Sequence, residues 1–140
     1  MKEIQDSERG IFMAELNIGD QVTAIYKTGK YIGEITERRP QHYLVRVLAV
    51  AKHPMQGDLH NPKDAAVGFF HERKALSFRE QANIPEKMVK PFEGEIPDYL
   101  ESLKEATGKL RSELEGDDSA WAQQSLRNLD SLEKDYFKNQ

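Results

Sequence analysis

The sequence predicts an α+β protein in which a small antiparallel β-barrel precedes a C-terminal helical hairpin. Residues 22–50 contain three runs rich in β-branched and aromatic residues, separated by turn residues, which is typical of strands. From residue 98 onward the apolar spacing changes to that of helices. We therefore expect a flexible N-terminal segment over residues 1–16, the barrel over residues 17–92 and the hairpin over residues 93–140.

The first three strands reverse at two short turns, over residues 27–30 and 38–41. In the first turn we expect Gly29 to relieve the reversal, because a residue without Cβ enters left-handed conformations at little cost. Gly33, inside the second strand, predicts a bulge or the close approach of another backbone. Residues 43–50 are apolar on nearly every position, which indicates the central strand.

The rest of the barrel is predicted after a long polar loop. Residues 69–78 are expected to form the fourth strand, residues 82–85 a single helical turn, and residues 87–91 a short last strand. Five short strands with one helical turn before the last are the layout of an SH3-like barrel, a closed form that protects sheet edges.

The C-terminal region carries two apolar stripes at helical spacing. Gly116 is a plausible end for the first helix, and Asp117, Asp118 or Ser119 can cap the second. Neither stripe is stable in water alone, so each packs on the other, on the barrel or on a partner, and the arm offers a surface for a homodimer. The stripes consist of Leu100, Leu103, Leu110 and Leu114, then Leu126, Leu129, Leu132 and Tyr136, with Trp121 near the start of the second.

Composition narrows the functional classes. The chain contains no cysteine, so disulfides, thiolate metal sites and cysteine-linked lipids are excluded for this sequence. No apolar run reaches the length of a membrane span, and the polar start does not resemble a secretory signal, so we expect a cytoplasmic protein. Charge is unevenly divided: residues 20–92 carry twelve Lys and Arg against eight Asp and Glu, whereas residues 93–140 carry six against twelve. This division suggests two surfaces with different partners.

All four histidines lie within thirty residues of one another, and Asp58 and Glu72 lie among them. Their spacing matches no known metal pattern, so we expect no metal and no cofactor. Neither His60 beside Asp58 nor His71 beside Glu72 has a nucleophile in a recognisable motif. We therefore expect no enzymatic activity.

Two binding functions remain open. Nucleic acid could be bound by basic side chains and tyrosines, namely Lys27, Lys30, Arg38, Arg39, Arg46, Lys52 and Lys63 with Tyr26, Tyr31 and Tyr43. The acidic arm opposes phosphates, so protein binding is favoured over nucleic acid. A peptide groove could be lined by the aromatic residues Tyr26, Tyr31, Tyr43, Phe69 and Phe70.

Several segments together resemble the kinase-associated protein B family of spore-forming bacteria, also called kinase-associated lipoprotein B. The similarity runs over roughly residues 17–138, and its most specific parts lie at residues 26–35, 40–45, 53–60, 69–76 and 88–91. The resemblance implies a small antiparallel β domain with a helical extension. It also implies a non-enzymatic accessory role for a membrane-bound sensor histidine kinase that feeds the sporulation phosphorelay.

The lipoprotein label requires a cysteine that this sequence lacks, so we expect membrane contact only through the kinase. Long polar side chains on loops suit the recognition of a protein partner. We predict that the kinase, or another phosphorelay protein, is bound by Gln41, His42, Gln56, Asp58, His60, Glu72 and Arg73.

Overall fold

In a computed structural model, which describes residues 15–57, 63 and 70–138, the predicted three-stranded core is confirmed. Strands β1 (Gln21–Tyr26), β2 (Gly29–Arg39) and β3 (His42–Lys52) form consecutive antiparallel pairs. The first reversal differs in detail, because the positive φ of 57° belongs to Lys27 rather than to Gly29. Gly29 is needed for space instead: a Cβ there would lie 2.5 Å from the Tyr31 hydroxyl oxygen.

The fourth strand lies later than predicted. Strand β4 is Gln81–Pro85, where a helical turn was expected, and the single 3₁₀ turn follows at Glu86–Met88. Ala82 and Ile84 point into the core while their neighbours are exposed, which is the period-two pattern of a strand with one buried face. The predicted strand over residues 69–78 is wrong for its described part, where residues 70–76 pair with no strand.

The last strand, β5 (Val89–Pro91), pairs with β1 as expected for this layout, and the sheet order is β4-β3-β2-β1-β5. The α+β class is confirmed, but the sheet is curled rather than closed, because no ladder joins β4 to β5 within the described residues. Its concave face holds the first core cluster, which consists of Val22, Ala24, Ile35, Tyr43, Val45, Ala82, Ile84 and Val89.

Both predicted helices are present. Helix α1 (Tyr99–Glu115) begins after Asp98, whose carboxylate accepts the Glu101 N–H at 3.1 Å. Helix α2 (Ala120–Tyr136) begins after Ser119, whose hydroxyl accepts the Ala122 N–H at 3.1 Å. Such caps satisfy backbone donors that the first helical turn leaves free.

The helices share a core with the sheet. Leu103 and Ala106 of α1 pack against Val47 and Val50 of β3, and the Ser102 hydroxyl accepts the Val50 N–H at 2.9 Å. A third cluster between the helices contains Leu114, Trp121, Ala122 and Leu129. The boundary expected at residues 92 and 93 lies between β5 and α1 and stays a prediction. Of the N-terminal segment, residues 1–14 lie outside the described residues, while Leu16 packs against the first cluster.

Gly33 occupies the predicted bulge, where the pairing of β2 with β3 shifts and skips Leu48. A Cβ on Gly33 would lie 2.2 Å from the Arg46 carbonyl oxygen, whereas a Cβ on the exposed helical residue Gly108 would meet nothing within 4 Å. We expect Gly33→Ala to lower the free energy of unfolding by about 2 kcal/mol or more, because the strands must separate. Gly108→Ala should raise it by about 1 kcal/mol. Urea denaturation of both variants measures the difference, and a Gly33→Ala protein as stable as the wild type would contradict this account.

Candidate protein-interaction surface

Residues 70–76, which we call the tethered segment, cross the end of the molecule where the turn between β1 and β2 also lies. This segment takes no part in the sheet, so its backbone groups need other partners. The backbone groups of Ala75 and Leu76 bond at 2.5–3.2 Å to tyrosine hydroxyls from three elements, namely Tyr31 of β2, Tyr99 of α1 and Tyr136 of α2.

The three tyrosine hydroxyls differ in whether they donate or accept the hydrogen bond. Tyr31 and Tyr136 accept backbone N–H groups, whereas Tyr99 donates to the Leu76 carbonyl oxygen. Burial raises the pKa of Tyr31 to about 12, and burial also raises the pKa of Tyr99 and of Tyr136 above the usual tyrosine range. The three hydroxyls therefore keep their protons throughout the physiological range, and these tethers do not change with pH.

Gln56 provides the fourth tether. Its side-chain amide accepts the Arg73 N–H at 2.8 Å and donates to the Arg73 carbonyl oxygen at 2.8 Å, as a neighbouring strand would. The Gln56 backbone carbonyl accepts the Trp121 indole N–H at 3.1 Å, so the same residue also holds α2. Gln56 is only 3% exposed, because all of these bonds lie inside the protein.

His53 lies at the end of β3 and is 2% exposed. The ring Nδ1 lies 3.0 Å from the Pro54 carbonyl oxygen, which can only accept, so Nδ1 carries the proton. The bare Nε2 then accepts the Tyr136 hydroxyl at 2.8 Å, while that hydroxyl accepts the Ala75 N–H. Burial lowers the pKa of His53, partly opposed by its bond to Pro54 and by the Glu133 carboxylate, and the neutral ring completes this chain of hydrogen bonds.

The residues predicted to bind a partner fall into separate places. Gln41 and His42 lie at the turn between β2 and β3, and the rise of a strand puts the far end of β3 about 30 Å away. Glu72 and Arg73 belong to the tethered segment at that far end, beside Gln56. Asp58 and His60 lie outside the described residues.

Glu72 and Arg73 border a polar cleft of about 290 Å³ between the tethered segment and the turn after β1. Glu72 is exposed, and the Arg73 guanidinium donates through Nε to the Gly57 carbonyl oxygen at 3.0 Å, which fixes its direction. The other lining residues are Tyr26, Lys27, Thr28, Tyr31, Pro54, Lys74, Leu76 and Glu80. Charged groups of both signs on a fixed backbone suit recognition of a protein surface.

The tyrosines and arginines considered for nucleic acid are not available as a nucleic-acid groove needs them. Tyr31 and Tyr43 are 1% and 7% exposed, so neither ring can stack on a base. Arg38, Arg39 and Arg46 each pair with a carboxylate, at 2.7, 2.7 and 3.2 Å. These placements favour protein contact.

The described part of the chain contains neither a metal-binding group nor a membrane-spanning helix. No three His, Asp or Glu side chains there are grouped closely enough to hold a metal ion. No helix there has the length and apolar character needed to cross a membrane.

Comparison with known proteins gives concordant results. Residues 26–137 match the family model described as Kinase associated protein B. The chain is 62% identical over 125 residues to the Kinase-associated lipoprotein B of Bacillus subtilis (strain 168), covering 89% of this chain and 98% of that relative. The fold is similar to the crystal structure of kinase-associated protein B from Bacillus cereus, with a TM-score of 0.75 and 53% identity over 87% of this chain and 98% of that one.

Replacement of Gln56 tests its bracing role. Gln56→Ala leaves the partly buried Arg73 N–H and carbonyl groups without partners, so we expect the free energy of unfolding to fall by about 1 to 2 kcal/mol. The matched control is Gln123→Ala on the exposed side of α2, which should change it by less than about 0.5 kcal/mol. Chemical denaturation measures both, and equal stabilities would show that the Gln56 bonds add nothing.

The buried His53 predicts how stability depends on pH. Its pKa is lowered in the folded state, so the unfolded chain takes up a proton first, below a pH of about 6.5. The contribution of neutral His53 to the free energy of unfolding is therefore fully present above that pH. It is lost as the solution is acidified towards the folded-state pKa of His53. His53→Asn should remove the part of the fall in the free energy of unfolding that His53 causes between pH 7.5 and 5. His42→Gln should retain that part. Denaturant titrations at several pH values measure the slopes, and identical slopes for wild type and His53→Asn would refute the assignment.

Proposed function

The chain belongs to the kinase-associated protein B family, and from this membership we propose that it is a non-catalytic accessory protein of a kinase. The kinase in this proposal is a sensor histidine kinase of the sporulation phosphorelay, and the chain acts on it through protein–protein contact. Family membership is the observation that carries the proposal. The close relatives are named for association with a kinase rather than for a reaction.

The arrangement of the histidines supports a binding role. A general base needs a ring nitrogen within hydrogen-bond reach of the group that it deprotonates. Both ring nitrogens of His53 are occupied inside the protein, by Pro54 and by Tyr136. His42 lies at the other end of β3, beside the carbonyl oxygen of Pro40. Binding accounts for these placements without a reaction.

We place the primary contact at the polar cleft that Glu72 and Arg73 border. The backbone there is fixed by four tethers, so a partner meets a preorganised surface and loses less free energy on binding. In this proposal Glu72 and Arg73 touch the kinase, whereas the buried Gln56 positions them. The protein works on the cytoplasmic side, and it reaches the membrane through the kinase.

Binding to the purified cytoplasmic region of the sporulation sensor kinase tests the proposal. We use the full chain, because the helices and the sheet share one core. Lys27→Glu combined with Glu72→Lys preserves the net charge of the protein but reverses the charge at two positions of the cleft. The affinity for the kinase should therefore fall at least about tenfold, which corresponds to about 1.4 kcal/mol. Calorimetric titration measures the affinity, and kinase autophosphorylation with and without the protein measures the effect on activity.

The matched control is Glu86→Lys combined with Lys87→Glu, on the exposed 3₁₀ turn beside Gln41. This exchange should leave the affinity unchanged. A loss confined to the control would move the contact to the end that holds Gln41 and His42. Wild-type protein that binds no kinase at tens of micromolar would refute the proposal.

A further inference from the structure

The helical hairpin and the end of the sheet enclose a groove of about 650 Å³ on the other side of the loop that holds His53 and Pro54. Four lysines from four parts of the chain border it. They are Lys30 of β2, Lys52 of β3, Lys109 of α1, and Lys63, which lies between β3 and the tethered segment. All four are exposed. We call this feature the lysine groove.

Three of the four lysines of the lysine groove form no ion pair with a described residue. Among the residues that the structure describes, no carboxylate lies within ion-pairing distance of Lys30, Lys52 or Lys109. Lys30 and Lys52 are also direct partners in the pairing of β2 with β3. Like charges in such positions repel, which costs stability unless an anion lies between them.

Two carboxylates line the groove, from Glu113 and Asp117. Asp117 already accepts the Ser119 N–H at 2.8 Å, which holds it at the turn before α2. Among the described residues, the groove thus has two more positive than negative side chains. Three of its four lysines come from residues 20–92, where basic residues outnumber acidic ones, and this excess of positive charge attracts an anionic ligand.

The floor of the groove is apolar and is formed by Ala106, Leu110, Leu114, Met55 and Trp121. The Trp121 ring is 6% exposed, its N–H is bound to Gln56, and the Lys63 ammonium lies 5.6 Å from its centre. Among the described residues that line the groove, no open aromatic face is therefore present for a nucleotide base. Half-buried Met55 and Leu110 instead offer an adaptable surface to an aliphatic side chain.

We propose that the lysine groove binds an acidic peptide segment that carries an aliphatic anchor, presented by the kinase. The combination of flexible ammonium groups, which pair with carboxylates at many angles, and an apolar floor suits such a segment, because a small inorganic anion would use only the charges. The volume exceeds that of a single inorganic anion and lies in the range of sites that hold several groups. This inference rests on the proposed function, because the kinase supplies the segment.

The test compares two triple variants for binding to the kinase cytoplasmic region. Replacing Lys30, Lys52 and Lys109 by Gln removes three charges with little change in length, and replacing the same three by Arg keeps the charges. We expect the Gln variant to bind at least about tenfold more weakly at 50 mM salt, and the Arg variant to bind within about twofold of wild type. The affinity of the wild type should fall steeply between 50 and 300 mM salt, because its ion pairs are screened.

The matched control replaces Lys87, Lys90 and Lys134 by Gln, which removes the same charge from exposed positions outside the groove. It should bind like the wild type, and thermal melting confirms that all variants fold. A Gln variant that binds as tightly as the wild type, or a wild-type affinity that does not change with salt, overturns the role of the lysine groove. Either result leaves the proposed function in place. Wild-type protein that does not bind the kinase refutes the proposed function and this inference with it.

Discussion

The structure depends on how the backbone of residues 70–76 is satisfied without a neighbouring strand. A buried amide left unpaired costs about 1 to 3 kcal/mol, so a segment of this length cannot cross the protein unsupported. Here tyrosine hydroxyls and one glutamine amide take the place of a ladder. Each comes from a residue far away in the sequence. The segment is therefore the point where otherwise separate elements are joined.

The tethers explain why the helical arm and the sheet form one body. Tyr31 belongs to β2, Tyr99 to α1 and Tyr136 to α2, and all three reach the same two residues. Apolar packing of α1 on β3 adds a contact that is strong but not directional. The hydrogen bonds supply direction, and they fix the angle at which the hairpin meets the sheet. The lysine groove lies along that junction, whereas the polar cleft lies between the tethered segment and the turn after β1.

Local sequence patterns were sufficient for the elements that local contacts determine. Alternating and continuous apolar runs located β1, β2 and β3, and the leucine spacing after residue 98 located both helices. The strand expected over residues 69–78 failed because composition alone cannot show which groups satisfy a backbone. Its partners lie 17 to 61 residues away, in side chains whose spacing carries no local signal.

The candidate site was predictable in part, for a related reason. Glu72 and Arg73 border one polar cleft, and partner binding there stays a prediction. Gln56 was taken for a surface residue because it lies in a polar loop, but it is buried. Its amide has the donor and acceptor of a peptide group, which is why it can replace a strand neighbour inside the protein. The lysine groove could not be found from sequence, since its four lysines are spread from residue 30 to residue 109.

The division between buried and exposed polar groups gives the molecule separate means for stability and for recognition. Inside, His53, Gln56 and the three tyrosines form their hydrogen bonds with other parts of the chain. Outside, the lysines of the groove keep their charge without paired carboxylates among the described residues. A surface of this kind is rigid before a partner arrives, so that charge complementarity is not lost to reorganisation.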